Sequence, residues 1–222
     1  MKAVLITGAS SGLGKEFALL YSEKGYKIYA HGRSEEKLSS LKDQLHRDGG
    51  QVEIITADLT NVDQLQSIFS HISPDDKVEI LINNAGVGHF GPLTSSSPKE
   101  LEEMFSTNVM APIHLTKEYI THVETGKIIN IISTAGLRGK VNESLYSASK
   151  FALRGFAESM QKELATTNIT VVNAYMGGMN TPFWEESHHV SDTSRFRSPK
   201  EVANYIFEQA ESQTEIILES KK

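Results

Sequence analysis

Near its start the chain reads Ala3-Val4-Leu5-Ile6-Thr7-Gly8-Ala9-Ser10-Ser11-Gly12-Leu13-Gly14, an apolar run that leads straight into a glycine-rich turn. Residues 15–24 follow with the apolar spacing of an amphipathic helix. Glycine lets a backbone turn tightly from strand into helix, and it leaves N–H groups at the helix start open to an anion. The stretch therefore predicts a strand, an anion-binding turn and a helix. An ordinary strand-to-helix turn is the alternative interpretation of the glycines alone.

Short runs rich in Val, Ile and Leu recur along the rest of the chain, and most precede a turn and a longer stretch with helical spacing. Most carry consecutive apolar residues, which is typical of strands buried on both faces of a parallel sheet. Seven strands are predicted, at Ala3–Thr7, Lys27–His31, Val52–Ala57, Ile80–Asn83, Lys127–Ile132, Thr170–Ala174 and Glu215–Leu218. The alternation predicts one α/β domain over residues 1–222 with a doubly wound parallel sheet and its ligand at the carboxyl ends of the strands.

Capping residues mark four helix starts. The stretches Ser97-Pro98-Lys99-Glu100 and Ser198-Pro199-Lys200-Glu201 each offer an N-cap hydroxyl, a proline at the first helical position and a glutamate at the third. Ser34, followed by two glutamates, predicts another start. Thr60 predicts the start of a helix that continues through Gln64–Ile72.

Composition excludes several classes of function. The 222 residues hold 22 Lys and Arg against 28 Asp and Glu, a formal net charge of −6, so nucleic acid is a poor partner. The absence of cysteine excludes disulfides and Cys-based metal sites and suits a reducing compartment. The apolar run after Lys2 is too short for an export signal and no run could span a bilayer, so we expect a cytoplasmic chain without a membrane partner. The pair His188-His189 lacks a spaced third ligand, and we predict no metal site there.

The end of the second predicted strand bears on the choice of cofactor. A chain that binds NAD offers Asp or Glu to the adenosine ribose at this point, but this sequence reads His31-Gly32-Arg33. The guanidinium of Arg33 suits a 2′-phosphate instead, and a unit charge pair at about 4 Å is worth up to about 4 kcal/mol at an effective dielectric near 20. The sequence therefore favours NADP(H) over NAD(H). A solvated loop arginine is the alternative.

Four residues have side chains suited to carbonyl chemistry. Tyr146 and Lys150 are four positions apart in a helical stretch, so they project from one face. Lowering a phenol pKa by about three units needs about 4 kcal/mol, which we expect the Lys150 ammonium to supply. Ser133 ends the fifth strand, where its hydroxyl can polarise a carbonyl. Asn108 lies inside the helix that begins at Pro98, which predicts a hydrogen-bonding role, with a surface position as the alternative.

Together these residues resemble the short-chain dehydrogenase/reductase family, and the resemblance covers nearly the whole chain. The matching elements occur in the family's order and at its spacings. They are Thr7-Gly8-x-x-x-Gly12-x-Gly14, Asp58-Leu59, Asn83-Asn84-Ala85-Gly86, Asn108, Ser133, Tyr146-x-x-x-Lys150 and Thr181-Pro182. The resemblance implies a single NAD(P)-binding Rossmann domain with a seven-stranded parallel sheet.

The resemblance also implies a role for each residue. Tyr146 would exchange a proton with the substrate oxygen, Ser133 would stabilise that oxygen, and Lys150 would hold the nicotinamide ribose and lower the pKa of the tyrosine. Asn108 would hold a water that links Lys150 to solvent. The dinucleotide would lie along Gly8, Ser10, Gly12, Leu13 and Gly14, with Asp58 and Leu59 near adenine, Asn84, Ala85 and Gly86 on the ribose side, and Met179 and Thr181 beside the nicotinamide.

Two features depart from the family pattern. Many members have a proline before the glycine that follows the sixth strand, whereas this chain reads Tyr175-Met176-Gly177-Gly178, which puts the rigidity of that loop in question. The predicted substrate loop over residues 183–198 is also short. We therefore expect an open or shallow pocket for a small apolar compound. Recruitment of an anionic group by Arg138 and Lys140 is the alternative. The predicted substrate contacts are Ala135, Leu137, Val141, Asn142, Phe183 and Trp184.

The leading hypothesis is an NADPH-dependent oxidoreductase that transfers a hydride between nicotinamide and a small, apolar carbonyl or alcohol substrate. The alternative is a dinucleotide-binding sensor or regulatory protein with little turnover, although a pure binder has no need of Tyr146. A methyltransferase on a similar sheet would need an acidic residue where the second strand ends, but this chain has Gly32 and Arg33 there.

The apolar helices after Pro98 and Tyr146 correspond to a pair that forms a two-fold interface in the family. We therefore expect a homodimer, and a homotetramer stays open.

Overall fold

Within residues 1–184 and 189–220, which the computed structural model describes, seven strands form one sheet with parallel neighbours throughout. Their order is β3-β2-β1-β4-β5-β6-β7, which confirms the predicted doubly wound α/β domain. The strands are β1 (Lys2–Ile6), β2 (Lys27–Gly32), β3 (Val52–Thr56), β4 (Lys77–Asn83), β5 (Thr125–Ser133), β6 (Asn168–Met176) and β7 (Glu215–Leu218).

These same described ranges hold seven α-helices, six of which pack on the two faces of the sheet. The seven helices are α1 (Gly12–Glu23), α2 (Glu35–Arg47), α3 (Val62–Ser67), α4 (Pro98–Phe105), α5 (Ala111–His122), α6 (Ser144–Glu163) and α7 (Pro199–Gln209). Apolar residues of α1, α2 and α7 pack on one face, and those of α3, α5 and α6 pack on the other. Strand β1 serves both layers, because Val4 and Ile6 belong to the first core and Ala3 and Leu5 to the second.

Three of the four predicted helix starts are confirmed, and one is wrong. Helices α4 and α7 begin at their prolines, and Ser34 caps α2. Helix α3, however, is capped by Asn61, whose side chain accepts the N–H of Gln64, and not by Thr60. The Thr60 hydroxyl donates instead to Asp58 at 2.9 Å, so it is already engaged in the turn that precedes the helix. After Ser67 the chain continues as a 3₁₀ turn over Ile68–His71.

The strand order reverses direction between β1 and β4. The connection after β1 leads to the face of the sheet covered by α1, and the connection after β4 leads to the face covered by α5. A crevice therefore opens between these two strands at their carboxyl ends, which is where open α/β sheets bind their ligands.

Three asparagines form a buried row across the centre of the sheet. Asn83, Asn130 and Asn173 lie at paired positions of β4, β5 and β6, and none is more than 2% exposed. Nδ2 of Asn83 donates to Oδ1 of Asn130 at 2.9 Å, and Nδ2 of Asn130 donates to Oδ1 of Asn173 at 3.1 Å. A buried amide that loses its partner costs about 1–3 kcal/mol. The row therefore favours this strand register over a shifted one.

Asn130→Ala should lower the free energy of unfolding by about 1–3 kcal/mol, because it removes the donor to a buried acceptor on Asn173 and one of the two acceptors of the Asn83 amide, which keeps Thr116. Urea unfolding followed by circular dichroism measures the change. Asn168→Ala, at the exposed start of β6, is the matched control and should change stability by less than about 0.5 kcal/mol. An equal decrease in the free energy of unfolding in Asn130→Ala and Asn168→Ala would contradict a structural role for the asparagine row.

Candidate active site

The turn between β1 and α1 depends on glycine at three positions. Gly8 and Gly12 have φ of 66° and 54°, in the left-handed region that glycine adopts without strain. A side chain at Gly14 would overlap the carbonyl oxygen of Gly8, so the first turn of α1 lies directly against the end of β1. A side chain at Gly12 would meet Thr181 at 3.3 Å. The structure thus brings together the predicted pyrophosphate turn and a residue predicted to flank the nicotinamide.

Thr7 ties the ends of β1 and β4 together. Its hydroxyl oxygen accepts the backbone N–H groups of Asn84 and Ala85, both at 3.0 Å. The Asn84 side chain donates in return to the Thr7 carbonyl at 2.8 Å. Thr7 is 2% exposed, and the sequence-based prediction did not single it out. Its place at the start of the glycine motif is the signal that could have identified it.

The N-terminus of α1 is open to an anion. Helices α2, α4 and α7 each begin with a serine side chain that accepts a backbone N–H and with a glutamate in the first turn. At α1 the N-cap residue Ser11 makes no side-chain cap hydrogen bond, and the first turn holds no acidic residue. Its N–H groups and the positive end of the helix dipole therefore suit a pyrophosphate. Leu13 offers only its backbone there, because its side chain lies in the core.

The predicted adenosine end of the site lies beyond β2. Ser10 lies beside Gly32, where a side chain on the glycine would meet the Ser10 hydroxyl at 3.2 Å. The Arg33 side chain is 64% exposed, and its Nη1 is 3.3 Å from Oε1 of Glu103 on α4. The cation therefore stands at the rim of the crevice with its guanidinium accessible.

Asp58 and Leu59, predicted to lie near adenine, follow β3. A hydrogen bond from the backbone of Thr60 lowers the pKa of Asp58, and the charge of Arg33 acts in the same direction. Leu59 is 5% exposed and packs in the core, so its backbone rather than its side chain faces the crevice edge. Asp58 is therefore ionised at neutral pH beside the exposed arginine.

Ser133, Tyr146 and Lys150 meet at the carboxyl end of β5. Ser133 is the last residue of β5, and the other two lie on the buried face of α6. Nζ of Lys150 donates to the Ile131 carbonyl at 3.3 Å and lies 5.7 Å from the centre of the Tyr146 ring. The Ser133 side chain hydrogen-bonds the phenol and also accepts the N–H of Ala135 at 3.1 Å. The structure thus brings these three predicted residues together.

Burial changes the pKa of both titratable groups. It raises the pKa of the Tyr146 phenol well above its usual value, while the hydrogen bond with Ser133 acts in the opposite direction. Burial also lowers the pKa of Lys150 to about 8. Withdrawal of the phenolate from water therefore dominates the pKa of Tyr146 in this structure, and the lowering of that pKa by Lys150 stays a prediction. The charge of Glu143, three residues before Tyr146, adds to the increase.

Asn108 is fully buried, so the alternative of a surface position is wrong. It lies in a π-helical turn, Ser106–Met110, that joins α4 to α5. Its Oδ1 accepts the N–H of Val87 and its Nδ2 donates to the Val87 carbonyl, both at 2.9 Å. Nδ2 also donates to Oγ of Ser149 at 3.1 Å. Single π turns inside helices are frequent at functional sites, and this one fastens the helix to the segment after β4.

Gly86 separates Asn108 from Lys150. A Cβ atom at Gly86 would lie 3.3 Å from Oδ1 of Asn108 and 3.6 Å from Nζ of Lys150. The bare backbone at this position therefore lets the amide and the ammonium approach the same point. The structure brings these three predicted residues into one cluster.

Four rings pack together beside Tyr146, and we call them the aromatic wall: Phe90, Phe183, Trp184 and His189. Phe90 is the ring that contacts all the others, with centroid distances of 5.2 Å to Tyr146, 6.0 Å to Phe183, 5.4 Å to Trp184 and 4.8 Å to His189. These are the separations of favourable ring pairs. The sequence analysis did not identify Phe90, although its place soon after the Asn83–Gly86 turn is a signal that could have marked it as part of the crevice.

The sequence matches the family model described as short chain dehydrogenase over residues 2–191. The chain belongs to the short-chain dehydrogenase/reductase family. The uncharacterized oxidoreductase YxnA of Bacillus subtilis is 33% identical over 95% of this chain and 63% of its own length. The 3-ketodihydrosphingosine reductase of Bacteroides thetaiotaomicron is 35% identical over 81% of this chain and 65% of its own length. The chain thus spans a little under two thirds of the length of these curated relatives.

Solved structures of short-chain dehydrogenases/reductases share the fold. A member from Vibrio parahaemolyticus is 32% identical with a TM-score of 0.86, covering 98% of this chain and 96% of that one. A metagenomic member in complex with NADP is 26% identical with a TM-score of 0.85, covering 100% and 98%. One from Burkholderia phymatum in complex with NAD is 25% identical with a TM-score of 0.87, covering 97% and 88%. Structural neighbours therefore bind either nicotinamide dinucleotide.

The predicted substrate contacts of this short-chain dehydrogenase/reductase divide into two groups. Ala135 packs against Tyr146, and Phe183 and Trp184 belong to the aromatic wall. The structure does not place the other three at Tyr146, because Leu137 packs in a separate core cluster, Val141 is 85% exposed, and Asn142 is exposed at a turn. Of the predicted substrate loop over 183–198, residues 185–188 lie outside the described residues.

The two cations near the site are both engaged by carboxylates. The guanidinium of Arg138 binds Glu219 through two hydrogen bonds, at 2.9 and 2.6 Å. Nζ of Lys140 is 3.6 Å from the carboxylate of Glu143. Both cations are thus already paired with carboxylates in this structure.

Gly177, in the loop that lacks the proline of many family members, is held by the segment after β7. Its N–H donates to the Leu218 carbonyl at 2.8 Å. A Cβ atom there would overlap the backbone of Ser220, whose hydroxyl accepts the N–H of Gly178 at 2.8 Å. These contacts tie the loop to the segment after β7.

Neither a metal cluster nor a membrane-spanning element occurs in the described part of the chain. No group of three or more His, Asp or Glu residues within it is placed to bind a metal ion. No helix within it is long and apolar enough to cross a membrane. Of the histidine pair, His189 belongs to the aromatic wall, and His188 lies outside the described residues.

Lys150→Met should raise the free energy of unfolding at pH 7 by about 1–3 kcal/mol, although it removes a predicted catalytic residue. Burial lowers the pKa of Lys150 from 10.5 to about 8 in the folded state. The unfolded state therefore binds more protons between these values, and wild-type stability rises with pH there. The difference in free energy of unfolding between Lys150→Met and the wild type should therefore decrease as the pH rises from about 8 to 10.5.

Urea unfolding at several pH values on both sides of this range measures the effect of Lys150→Met. Lys162→Met, exposed on the same helix, is the matched control and should change stability little at any of them. A Lys150→Met protein that is less stable than the wild type at neutral pH would show that burial of the ammonium carries no net cost.

Proposed function

We propose that this protein is an NADPH-dependent oxidoreductase that transfers a hydride between the nicotinamide ring and a small, apolar carbonyl or alcohol substrate. One observation carries the proposal: Ser133, Tyr146 and Lys150 meet in the crevice that the open N-terminus of α1 also borders. A protein that only senses a dinucleotide gains nothing from a buried lysine and tyrosine, whose burial costs stability. The sensor alternative is therefore not favoured.

The residues of the crevice fit a nicotinamide dinucleotide. When bound, this cofactor supplies or accepts the hydride. The N–H groups of the glycine turn would hold its pyrophosphate, Lys150 would hold the nicotinamide ribose, and Met179 and Thr181 would flank the ring. The other residues proposed to line the cofactor are Gly8, Ser10, Gly12, Leu13, Gly14, Arg33, Asp58, Leu59, Asn84, Ala85, Gly86 and Tyr146.

Tyr146 would act as the general acid in the direction of reduction. Its raised pKa keeps the phenol protonated at neutral pH, which is the form that can donate a proton to the substrate oxygen. As the carbonyl π bond breaks, the carbon gains the hydride and the oxygen gains this proton, so the product is an alcohol. The Ser133 hydroxyl would stabilise the same oxygen, and Lys150 would return a proton to the phenolate. Oxidation of an alcohol runs through the same steps in reverse.

The preference for NADPH rests on Arg33. The turn after β2 carries this cation and no carboxylate, and the side chain is accessible at the crevice rim. Its contact with Glu103 is an exposed ion pair, of a type worth about 0–1 kcal/mol, so a phosphate can displace it at little cost. A 2′-phosphate would then accept paired hydrogen bonds from the guanidinium.

The choice of an apolar substrate rests on the surroundings of Tyr146. The aromatic wall and Ala135 present apolar surface to the phenol, while Arg138 and Lys140 are bound by carboxylates. One relative is named a 3-ketodihydrosphingosine reductase, which accords with a carbonyl substrate.

We also propose a homodimer built on the helices that flank the site. Three large apolar side chains on or beside these helices are exposed: Leu101 at 41%, Met110 at 48% and Phe151 at 43%. Association of two copies through these helices would bury them. Ile217, 52% exposed on the edge strand β7, offers a second surface through which dimers could form a homotetramer.

Tyr146→Phe should reduce turnover about 100- to 10,000-fold, because it removes only the hydroxyl that transfers the proton. The Kd for NADPH should stay within about threefold of wild type, since the pyrophosphate turn is untouched. Loss of NADPH absorbance with small aldehydes and ketones measures turnover. Tyr205→Phe on α7 is the control and should retain full activity. Wild-type turnover in Tyr146→Phe would exclude the proposed role.

Arg33→Ala should weaken NADPH binding about tenfold and leave NADH binding nearly unchanged, because only NADPH carries the 2′-phosphate. Quenching of Trp184, the only tryptophan, gives both dissociation constants by titration. Arg47→Ala, exposed in the last turn of α2, is the control and should bind both cofactors as the wild type does. A wild-type protein that prefers NADH would show that Arg33 does not set the preference.

A further inference from the structure

Glu143 is a buried carboxylate that the proposed reaction does not use. It immediately precedes α6, three positions before Tyr146, and its side chain is 7% exposed. Its Oε1 is 2.9 Å from Nε2 of His189, and its Oε2 is 3.6 Å from Nζ of Lys140. Because a buried carboxylate is costly without partners, these contacts are needed for Glu143 to remain where it is.

The backbone beside Glu143 holds a second segment. Asn142 has a φ of 61°, a left-handed conformation that asparagine adopts more readily than most residues other than glycine. Its carbonyl accepts the N–H of Gly91 at 2.8 Å, and Gly91 directly follows Phe90. The Asn142–Glu143 corner therefore holds the Phe90 segment through its backbone and His189 through its side chain.

The two rings held by this corner stack on each other. The centroids of Phe90 and His189 are 4.8 Å apart, and their planes are 14° from parallel. Phe90 in turn meets the Tyr146 ring edge-on, at 5.2 Å and 62°. The position of the ring that packs against Tyr146 thus depends on two contacts that both begin at residues 142–143.

We propose that Glu143 is a positioning residue, which holds His189 against Phe90 and so fixes the aromatic wall beside Tyr146. The inference rests on the proposed function, because the wall affects turnover only if a substrate carbonyl binds at Tyr146. The group attached to that carbonyl then packs against the wall, and a flat ring gains most from such a surface. Aryl aldehydes and ketones are therefore the substrate class that the wall favours over alkyl compounds of similar size.

Glu143→Ala should raise the KM for benzaldehyde five- to twentyfold, change kcat less than threefold, and leave the Kd for NADPH unchanged. Its Trp184 emission should shift to longer wavelength and be quenched more strongly by acrylamide, because the wall loosens around the indole. Glu143→Gln keeps an oxygen that accepts the His189 N–H. This variant should therefore have a KM for benzaldehyde and a Trp184 emission close to those of the wild type. Glu163→Ala, exposed on the same helix, is the control and should match the wild type in all of them.

His189→Ala tests the link directly. If Glu143 acts through His189, the double variant E143A/H189A should have the KM and the Trp184 emission of His189→Ala alone. Additive effects, or wild-type Trp184 emission in Glu143→Ala, would overturn the inference. Should Glu143→Ala fail to fold, a wild-type KM and emission in His189→Ala would overturn it as well.

The failure of the proposed function is a separate outcome. A wild-type protein that binds NADPH but reduces no carbonyl probe would exclude the proposed reaction. The KM values of the variants could then not be measured. The Trp184 emission of Glu143→Ala and His189→Ala would still decide whether Glu143 positions the aromatic wall, because that measurement needs no turnover.

Discussion

The hydrogen bonds between Thr7 and the segment after β4 set the geometry of the whole site. The connections after β1 and β4 lead to opposite faces of the sheet, so a crevice opens between the two turns, and two 3.0 Å bonds to one hydroxyl fix those turns relative to each other. The segment after β4 carries Gly86, which Asn108 and Lys150 approach, and leads to Phe90. A displacement at Thr7 would therefore move the anion-binding turn, the surroundings of the lysine and the aromatic wall together.

Burial acts on the two titratable groups of the site in opposite directions. It raises the pKa of Tyr146 and lowers that of Lys150 to about 8, so both changes favour the uncharged form. The protonated phenol is the acid that carbonyl reduction requires, and a lysine that titrates near 8 can exchange a proton close to neutral pH. The same burial destabilises the folded chain, which is the usual relation between a functional site and its scaffold.

Local patterns were enough to predict the strands, the glycine turn and the tyrosine–lysine pair, because each is encoded by neighbours in sequence. The π turn at Asn108 was not predictable, since it depends on a hydrogen bond with Val87, which lies on another segment. The stacking of Phe90 on His189 joins residues about a hundred positions apart, and spacing carries no such information. The sequence shows the charge of Lys150 four positions from Tyr146, but it does not show the loss of water around the phenol, which raises the pKa of Tyr146 here.

The loop after β6 lacks the proline found in many family members and depends on long-range contacts instead. A proline ring limits backbone freedom locally, whereas here the N–H groups of Gly177 and Gly178 bind Leu218 and Ser220. The Phe196 ring also packs so close to Gly178 that a side chain there would overlap it. The loop that leads to Met179 is therefore only as well ordered as the edge strand β7 beside it. Because edge elements open more readily than central ones, local opening of β7 would loosen this loop before the rest of the sheet unfolds.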